Sequence, residues 1–334
     1  MIQDWFLDLL IDPVIGTPLR LDGERLVNDA GAVYPIIEGI PRLVDDTEGT
    51  FTYKWARRSA YESPEFAAWY TRWLLDKYGF DDGIELRAHF GRFERVLEVG
   101  CGAGLSAVIS RGGLDNTQHW VGLDLSSAID IAHQRLGQSD NSAFIQADLG
   151  SLPFRPGSFD AVFSEGVLHH TASTRAALGS LVDVLAPGGE VMFYVYRRKA
   201  PVRELADDYI RTWVSALAPD EAWALMAPLT SLAKALSNVS ATVEVPDSVP
   251  VLGITAGRHD LQRLIYWHFA KLFWNDALGF EGSQLVNFDW YYPRHANRHT
   301  QAEVESWCAE FGLLIVHLDA QESGFTVRAI RRAA

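Results

Sequence analysis

The chain has 334 residues, 48% of them hydrophobic, and a formal net charge of −14 at pH 7. This length allows a full α/β core together with a second unit, and the apolar content indicates a globular protein rather than a disordered one. The acidic balance argues against a nucleic-acid partner, because the phosphates of nucleic acids usually require a basic surface.

Residues 1–48 predict a small β-rich module. Two short apolar segments flank Asp22-Gly23-Glu24, which is typical of a hairpin. Residues 33–37 predict an extended edge strand, because they contain a proline and precede a turn sequence. The acidic run at 45–49 is expected to be a linker.

Residues 49–196 predict N-terminal helices followed by an α/β core. Aromatic residues recur at helical spacing on one broad face of a first helix, at Phe66, Trp69, Tyr70 and Trp73. Beyond them, apolar strand patterns alternate with helical ones. The predicted core strands lie at 95–99, 119–124, 143–147, 159–164 and 189–196.

Residues 197–297 interrupt this alternation with several helical patterns rich in tryptophan. The tryptophans and the sparse charge favour either a helical lid around an apolar or aromatic molecule or a dimer interface. The sequence leaves both alternatives open.

Residues 298–334 predict the end of the core. A helix is expected from Thr300 to Phe311, because Thr300 and Glu303 form a capping-box pattern at its start. Two final strands are predicted at 313–318 and 325–330.

The most informative motif is the glycine-rich turn after the first core strand. Gly100, Gly102 and Gly104 follow an apolar run, and glycines let backbone amides approach a ligand closely. Glu98 precedes them, and its charge would repel a pyrophosphate but suit the amine of an amino acid. Asp124 ends the second strand, where a carboxylate can accept two ribose hydroxyls.

Asp148 ends the third strand, where a carboxylate can accept an adenine amino group. Together these segments resemble the class I S-adenosylmethionine-dependent methyltransferases, and the resemblance continues through residues 159–164 to Pro187-Gly188-Gly189. It covers about residues 95–196. It implies a Rossmann-like α/β fold with a seven-stranded sheet whose last strand is antiparallel. It also implies S-adenosylmethionine as the cofactor, bound over the carboxyl ends of the first strands.

The resemblance further implies which residues hold this cofactor. The glycines would line its methionine and ribose, Asp124 would hold the ribose, Asp148 the adenine edge, and Ser164 would offer its carbonyl to the methionine amine. The predicted cofactor-binding residues are Glu98, Gly100, Cys101, Gly102, Gly104, Asp124, Leu125, Ser126, Asp148, Leu149 and Ser164.

The candidate catalytic residues follow the fourth strand: Glu165, His169 and His170. In methyl transfer the protein must position the acceptor and sometimes remove a proton. A Leu-His-His sequence is common here in small-molecule members of the family, with one histidine beside the cofactor and the other facing the acceptor as a general base. Both could instead cap the next helix. Glu165 could attract the sulfonium, bind an amine acceptor, act as a base, or be a solvated loop acid.

Three aromatic and basic segments are candidates for the acceptor site. They are the end of the fifth strand, the run before the last helix, and the helix start at 51–55, which is expected to close over the cofactor. Core packing and surface capping are the alternatives. The predicted substrate-binding residues are Tyr53, Trp55, Tyr196, Arg197, Tyr291, Tyr292, Arg294 and His295.

The N-terminal module resembles a zinc-ribbon-type module that precedes some bacterial methyltransferases. The resemblance rests mainly on Tyr34-Pro35-Ile36-x-x-Gly39-Ile40-Pro41. The metal-binding cysteines are absent, and Asp12 and Ile15 stand where the first pair would lie. Because a tetrahedral zinc site cannot be built from what remains, we predict a metal-free packing module.

These features predict a methyltransferase that acts on an O, N or C centre of a small, apolar or aromatic metabolite, in specialised metabolism. A protein- or tRNA-modifying methyltransferase and a non-catalytic cofactor-binding regulatory subunit are the alternatives. The expected partner is a small-molecule substrate, with no nucleic acid or membrane, and a homodimer is one option. The sequence shows neither an apolar run of about 18 residues nor a basic signal-peptide start, so we expect a cytoplasmic protein.

Overall fold

The computed structural model describes residues 2–44, 49–57, 64–111 and 118–333. The N-terminal module consists of α1 (Asp4–Leu7), β1 (Arg20–Asp22), β2 (Arg25–Val27), β3 (Val33–Ile37) and β4 (Ile40–Pro41). Its four strands form one antiparallel sheet in the order β1-β2-β3-β4. The predicted hairpin between β1 and β2 is therefore confirmed.

The prediction that residues 33–37 form an edge strand is wrong, because β3 pairs with both β2 and β4. Pro35 is tolerated inside this small sheet because its carbonyl still accepts a hydrogen bond, from the Arg42 amide at 2.9 Å. Of the predicted linker, residues 45–48 lie outside the described part of the chain, and Gly49 begins the next helix.

Between the N-terminal module and the central sheet, the described part of the chain contains three helices: α2 (Gly49–Ala56), α3 (Pro64–Tyr78) and α4 (Gly83–Phe90). The aromatic face predicted on α3 is confirmed, since the ring of Phe66 stacks on Tyr70 and the ring of Trp69 on Trp73. Pairs of side chains four residues apart meet on a helix surface, and this spacing gives α3 its continuous aromatic face.

The core alternates strands and helices as predicted. Its elements are β5 (Arg95–Val99), α5 (Leu105–Ser110), β6 (His119–Asp124), α6 (Ala128–Leu136), β7 (Ser142–Gln146), β8 (Phe159–Ser164), α7 (Thr174–Val184) and β9 (Leu185–Tyr196). Strand β9 begins earlier than predicted and includes the Pro187-Gly188-Gly189 turn sequence.

The insertion contains α8 (Pro201–Val214), α9 (Pro219–Ser237), β10 (Thr242–Val245), β11 (Gly257–Asp260), α10 (Leu261–His268) and α11 (Gly279–Tyr291). The predicted helices are present, but the antiparallel β10–β11 hairpin was not predicted. Buried side chains of α8, α9 and α11, among them Val214, Met226 and Phe288, form a hydrophobic cluster separate from the core of the sheet.

The chain ends with α12 (Gln301–Glu310), β12 (Leu313–Ala320) and β13 (Gly324–Arg331). The capping box is confirmed, since Thr300 and Glu303 each bond the other's backbone amide. The central sheet has the order β12-β13-β9-β8-β5-β6-β7, in which β13 runs antiparallel to both its neighbours. The predicted seven-stranded, Rossmann-like sheet is therefore confirmed.

The N-terminal module lies against the free side of β7. Residues 9–11 pair with the loop after β7 through the Ile11 amide, which donates to the Pro153 carbonyl at 3.0 Å. Arg42 forms a parallel bridge to Gln146, and the Leu43 amide donates to the Gln146 carbonyl at 2.9 Å. The module thus extends the central sheet beyond its edge strand β7.

Asp12 organises the interior of the module. Its buried carboxylate accepts hydrogen bonds from the amides of Val14 and Ile15, at 2.8 and 3.0 Å. It also accepts from Asn28 Nδ2 and from the Tyr34 hydroxyl, at 2.7 and 3.0 Å. A carboxylate with four donors therefore stands where the zinc-ribbon resemblance places the first metal ligand.

Candidate active site

A cavity of about 480 Å³ opens at the carboxyl ends of β5, β6, β7 and β8. Parallel α/β sheets bind ligands at this edge, where the connections to neighbouring strands diverge. The volume falls within the range of about 300–1,000 Å³ that is typical of small-molecule sites. The central sheet therefore places its candidate active site where the sequence predicted it.

The glycine-rich turn has no room for side chains at two positions. Gly100 has φ +72°, and a Cβ there would lie 2.2 Å from Val167 Cγ2. Gly102 has φ +51°, and a Cβ there would lie 2.4 Å from the Trp55 ring. Both positions require glycine, since L residues with side chains rarely adopt positive φ. The turn therefore keeps its backbone close to the cavity.

Asp124 joins this turn to the end of β6. Its Oδ2 accepts the Gly102 amide at 2.8 Å, and its Oδ1 accepts the amide and the hydroxyl of Ser126 at 2.8 and 2.6 Å. Burial raises the pKa of Asp124, while these bonds oppose that rise. The carboxylate lines the cavity and keeps acceptor capacity for further donors.

Five of the predicted cofactor residues line the cavity together: Gly100, Asp124, Leu125, Asp148 and Leu149. Asp148 is exposed, and its carboxylate accepts the Gly150 amide at 2.8 Å at the start of a short 3-10 turn. Carboxylates at the ends of neighbouring strands, with apolar leucines beside them, suit a nucleoside.

The other predicted cofactor residues are not among those that line the cavity: Glu98, Cys101, Gly102, Gly104, Ser126 and Ser164. Glu98 points away because successive strand side chains alternate, and its neighbour Val99 lines the cavity instead. Its carboxyl accepts from Trp120 Nε1 at 3.2 Å, and burial raises its pKa to about 8. The Ser164 hydroxyl donates to the Val99 carbonyl at 3.2 Å.

Glu165 lines the cavity but is not a solvated loop acid, since its side chain is only 5% exposed. The Tyr78 hydroxyl donates to Oε2 at 2.5 Å, and the Lys77 ammonium lies 3.9 Å from Oε1. That ammonium also lies over the rings of Trp73 and Tyr194, which surround it with aromatic faces. Burial lowers the pKa of Lys77 to about 7 and raises that of Glu165.

The two candidate histidines have different surroundings. His170 lines the cavity, and its Nδ1 lies 2.8 Å from the His295 carbonyl. Because a carbonyl can only accept, Nδ1 carries the proton and neutral His170 keeps an acceptor lone pair on Nε2. Burial lowers the pKa of His170 to about 4. His169 is fully buried, and its ring stacks on Tyr196 with centroids 3.6 Å apart.

Three of the eight predicted substrate residues line the cavity: Trp55, Arg294 and His295. The structure places the other five, Tyr53, Tyr196, Arg197, Tyr291 and Tyr292, elsewhere. The Tyr291 hydroxyl donates to buried Asp207 at 3.0 Å, and that of Tyr53 to Asp220 at 2.6 Å. The first of these bonds lies within the insertion, between α11 and α8, and the second joins α2 to α9.

The tryptophans of the insertion do not line the cavity either. Trp290 is buried and donates to Asp207 at 2.9 Å, and Trp223 packs on Phe288. Trp213 is 59% exposed on α8. The insertion, residues 197–297, contributes Pro293, Arg294 and His295 to the cavity wall.

Lys54 and Asp289 form a site feature that the sequence analysis did not single out. The Lys54 ammonium lies 2.8 Å from Asp289 Oδ1 and lines the cavity beside Phe51 and Trp55. Burial opposes ionisation of Asp289, but the Lys54 charge lowers its pKa. The sequence signal for this pair was weak: Lys54 lies in the aromatic helix start at 51–55, and Asp289 lies in the aromatic run before the last helix. Nothing in the sequence marked Thr171–Ser173 or Ala176, which also line the cavity.

Comparisons with known proteins agree with this geometry. Residues 97–193 match the family described as "Methyltransferase domain". The malonyl-[acyl-carrier protein] O-methyltransferase of Enterobacter lignolyticus is 34% identical over 112 residues, which cover 34% of this chain and 43% of that protein. A tRNA (carboxymethyluridine(34)-5-O)-methyltransferase of Xenopus tropicalis is 32% identical over 120 residues, covering 35% of this chain and 18% of that protein.

The chain therefore spans less than half the length of either relative. Among solved structures, an S-adenosylmethionine-dependent methyltransferase from Mesorhizobium loti has a TM-score of 0.43 and 17% identity, covering 74% of this chain and 95% of that one.

The sheet order, the glycine turn and the two strand-end carboxylates define a nucleoside-binding α/β domain of the methyltransferase type. The chain contains a class I S-adenosylmethionine-dependent methyltransferase domain, and S-adenosylmethionine is its cofactor. The residues present fit that cofactor. Asp124 faces the cavity with free acceptor capacity, and the turn at Gly100 brings backbone close to it. The likeness of the N-terminal module to a zinc ribbon stays a prediction.

None of the helices in residues 2–44, 49–57, 64–111 and 118–333 combines the length and the apolar content that a membrane-spanning segment requires. Over the same described ranges, no group of three or more histidine, cysteine, aspartate or glutamate side chains is placed to hold a metal ion.

Proposed function

We propose that this chain transfers a methyl group from S-adenosylmethionine to an O, N or C centre of a small, apolar or aromatic metabolite, in specialised metabolism and in the cytoplasm. One observation carries the proposal. The cavity that holds Gly100, Asp124 and Asp148 is also lined by Phe51 and His170. Cofactor-binding groups and a neutral base with an aromatic neighbour thus share one small-molecule-sized space.

In this proposal Gly100, Asp124, Leu125, Asp148 and Leu149 hold the cofactor. Bound S-adenosylmethionine supplies an electrophilic methyl group on a sulfonium. The chain's own residues orient the acceptor and accept a proton where the acceptor carries one.

His170 is the best-placed proton acceptor among the three candidates. Its ring is fixed by the Nδ1 bond to the His295 carbonyl and by the edge contact of Phe51, with centroids 5.5 Å apart. A fixed neutral imidazole presents Nε2 as a base. His169 lies behind it, and Glu165 already accepts from Tyr78.

The apolar wall of the site and the net charge of the chain support a small acceptor over a macromolecule. Phe51, Trp55, Val167 and Pro293 give the wall apolar surface. The net charge of −14 opposes binding of RNA. The tRNA-modifying relative makes RNA the alternative to test directly.

The proposal is tested with S-adenosylmethionine that carries a tritiated methyl group and an extract of the native host, separated into metabolite, RNA and protein fractions. We expect the label to enter the metabolite fraction. Label confined to RNA or protein, or no transfer to any fraction, would overturn the proposal.

The His170→Asn variant tests the proposed base, because its amide can replace the Nδ1 donor but offers no basic nitrogen. We expect transfer to fall about 100-fold for an acceptor that loses a proton. Its affinity for S-adenosylhomocysteine should match that of the native protein. Unchanged transfer by this variant would remove His170 from the reaction.

A further inference from the structure

The N-terminal module is connected to the cofactor cavity through one side chain of β7. Arg42 Nη1 donates to Gln146 Oε1 at 2.9 Å, and Gln146 Nε2 donates to the Leu125 carbonyl at 2.9 Å. Gln146 therefore uses both ends of its amide, one toward the module and one toward the loop after β6. This chain of bonds links residues about one hundred positions apart in sequence.

Leu125 is part of the cavity wall, directly after Asp124. The loop they form is tied to the core at a second point, where the Ala147 amide donates to the Asp124 carbonyl at 3.1 Å. The side-chain bond from Gln146 fixes the next peptide along. The position of Leu125 in the cavity wall therefore depends on Gln146.

Both members of the connection are shielded from water. Gln146 is 5% exposed, and the side chain of Arg42 is 11% exposed. Arg42 also forms an ion pair with Asp130 on α6. Hydrogen bonds in such surroundings are directional and are costly to leave unmade.

We propose that Arg42 and Gln146 are positioning residues for the cofactor. Arg42 brings the N-terminal module into contact with Gln146, and Gln146 holds the backbone that presents Leu125 to the adenosine. The module is then part of the binding site without touching the ligand. This inference rests on the cofactor assignment.

Three variants distinguish a role in positioning the cofactor site from a contact that only attaches the module to the central sheet. Gln146→Glu keeps an acceptor for Arg42 but cannot donate to the Leu125 carbonyl. Arg42→Met removes the contact from the module side. Asp130→Asn is the matched control, since it breaks the ion pair of Arg42 and leaves the connection to Leu125 intact.

Affinity for S-adenosylhomocysteine is measured by calorimetry, and the ligand-free melting midpoint by scanning calorimetry. We expect Gln146→Glu and Arg42→Met to bind about tenfold more weakly, the factor that corresponds to one buried hydrogen bond. Asp130→Asn should bind within about twofold of the native protein. With the labelled acceptor fraction, KM for S-adenosylmethionine should rise in Gln146→Glu while kcat stays unchanged.

Native affinity in Gln146→Glu would overturn the proposal. A loss of affinity in all three variants that follows their melting midpoints would also overturn it, because that pattern indicates docking alone. Failure of the proposed function is a separate result: a native protein that binds S-adenosylhomocysteine but methylates nothing refutes that function and leaves this comparison valid. No binding by the native protein would overturn both.

Discussion

Asp124 provides the sharpest test of the cofactor site. Its two carboxylate oxygens accept backbone amides from opposite directions, Gly102 on Oδ2 and Ser126 on Oδ1. An asparagine has one acceptor oxygen, so in Asp124→Asn one of these amides must face an NH₂ group in either orientation. A buried amide without an acceptor costs about 1–3 kcal/mol.

The same substitution weakens the bonds expected from the ribose, because hydrogen bonds to a charged acceptor contribute about 1.5–3 kcal/mol each and neutral ones less. The unpaired amide is present with and without ligand, so it lowers the free energy of unfolding rather than the affinity. Two weakened ribose bonds correspond to about 3 kcal/mol, or roughly a 150-fold rise in the Kd for S-adenosylhomocysteine. Calorimetric titration of the native and variant proteins measures this directly.

Asp148→Asn is the matched control for this experiment. Its carboxylate is exposed. In the part of the chain that the structure describes, the Gly150 amide is the one backbone amide that donates to it. We expect a rise in Kd of less than about tenfold, because exposed bonds exchange with water at little cost. If Asp124→Asn binds within about threefold of the native protein, the reasoning from a charged ribose acceptor is refuted.

Three further outcomes follow from the structure. Gly102→Ala should lower affinity for S-adenosylhomocysteine at least about tenfold, because its Cβ would lie 2.4 Å from the ring of Trp55; native affinity would show that the turn adapts. Burial raises the pKa of Glu98 from 4.5 to about 8, so its stabilising effect is full below pH 4.5 and is lost as the pH rises through 8. Glu98→Gln should therefore flatten the fall in the free energy of unfolding across that window, measured with urea, and an unchanged slope would count against a protonated carboxyl. Asp12→Ala should lower the free energy of unfolding by about 3 kcal/mol, because the buried Nδ2 group of Asn28, the Tyr34 hydroxyl and two backbone amides lose their acceptor. Elemental analysis of the native protein accompanies this measurement, and stoichiometric zinc would contradict a metal-free module.

The sheet could be predicted from the sequence because its signals are local. Strands β5 and β6 are mostly apolar and buried, and they are followed by a glycine turn and ended by Asp124, respectively, which is typical of buried parallel strands. Part of the requirement for glycine in the turn is also local, because Gly100 and Gly102 have positive φ. For the same reason five of the eleven predicted cofactor residues line the cavity.

The acceptor side could not be predicted in the same way, because it depends on which face of a helix turns inward. Tyr291 and Lys54 both belong to aromatic segments, yet Tyr291 is buried against Asp207 while Lys54 reaches the cavity. Composition does not distinguish these two outcomes. The pairing of Arg42 with Gln146 joins residues 104 positions apart and leaves no periodic signal.

The position of the module beside β7 also bears on how the protein can be divided. Strand β7 is an edge strand of the seven-stranded sheet. Its residue Gln146 forms a β-bridge with Arg42 and accepts the Leu43 amide. At the other end of the strand, Gln3 donates to the Ser142 carbonyl at 3.1 Å. In a shortened protein that began at residue 49, the outer edge of β7 would lack these partners, and open strand edges pair with other chains. Residues 2–44 thus cover a strand edge that would otherwise be open to such pairing.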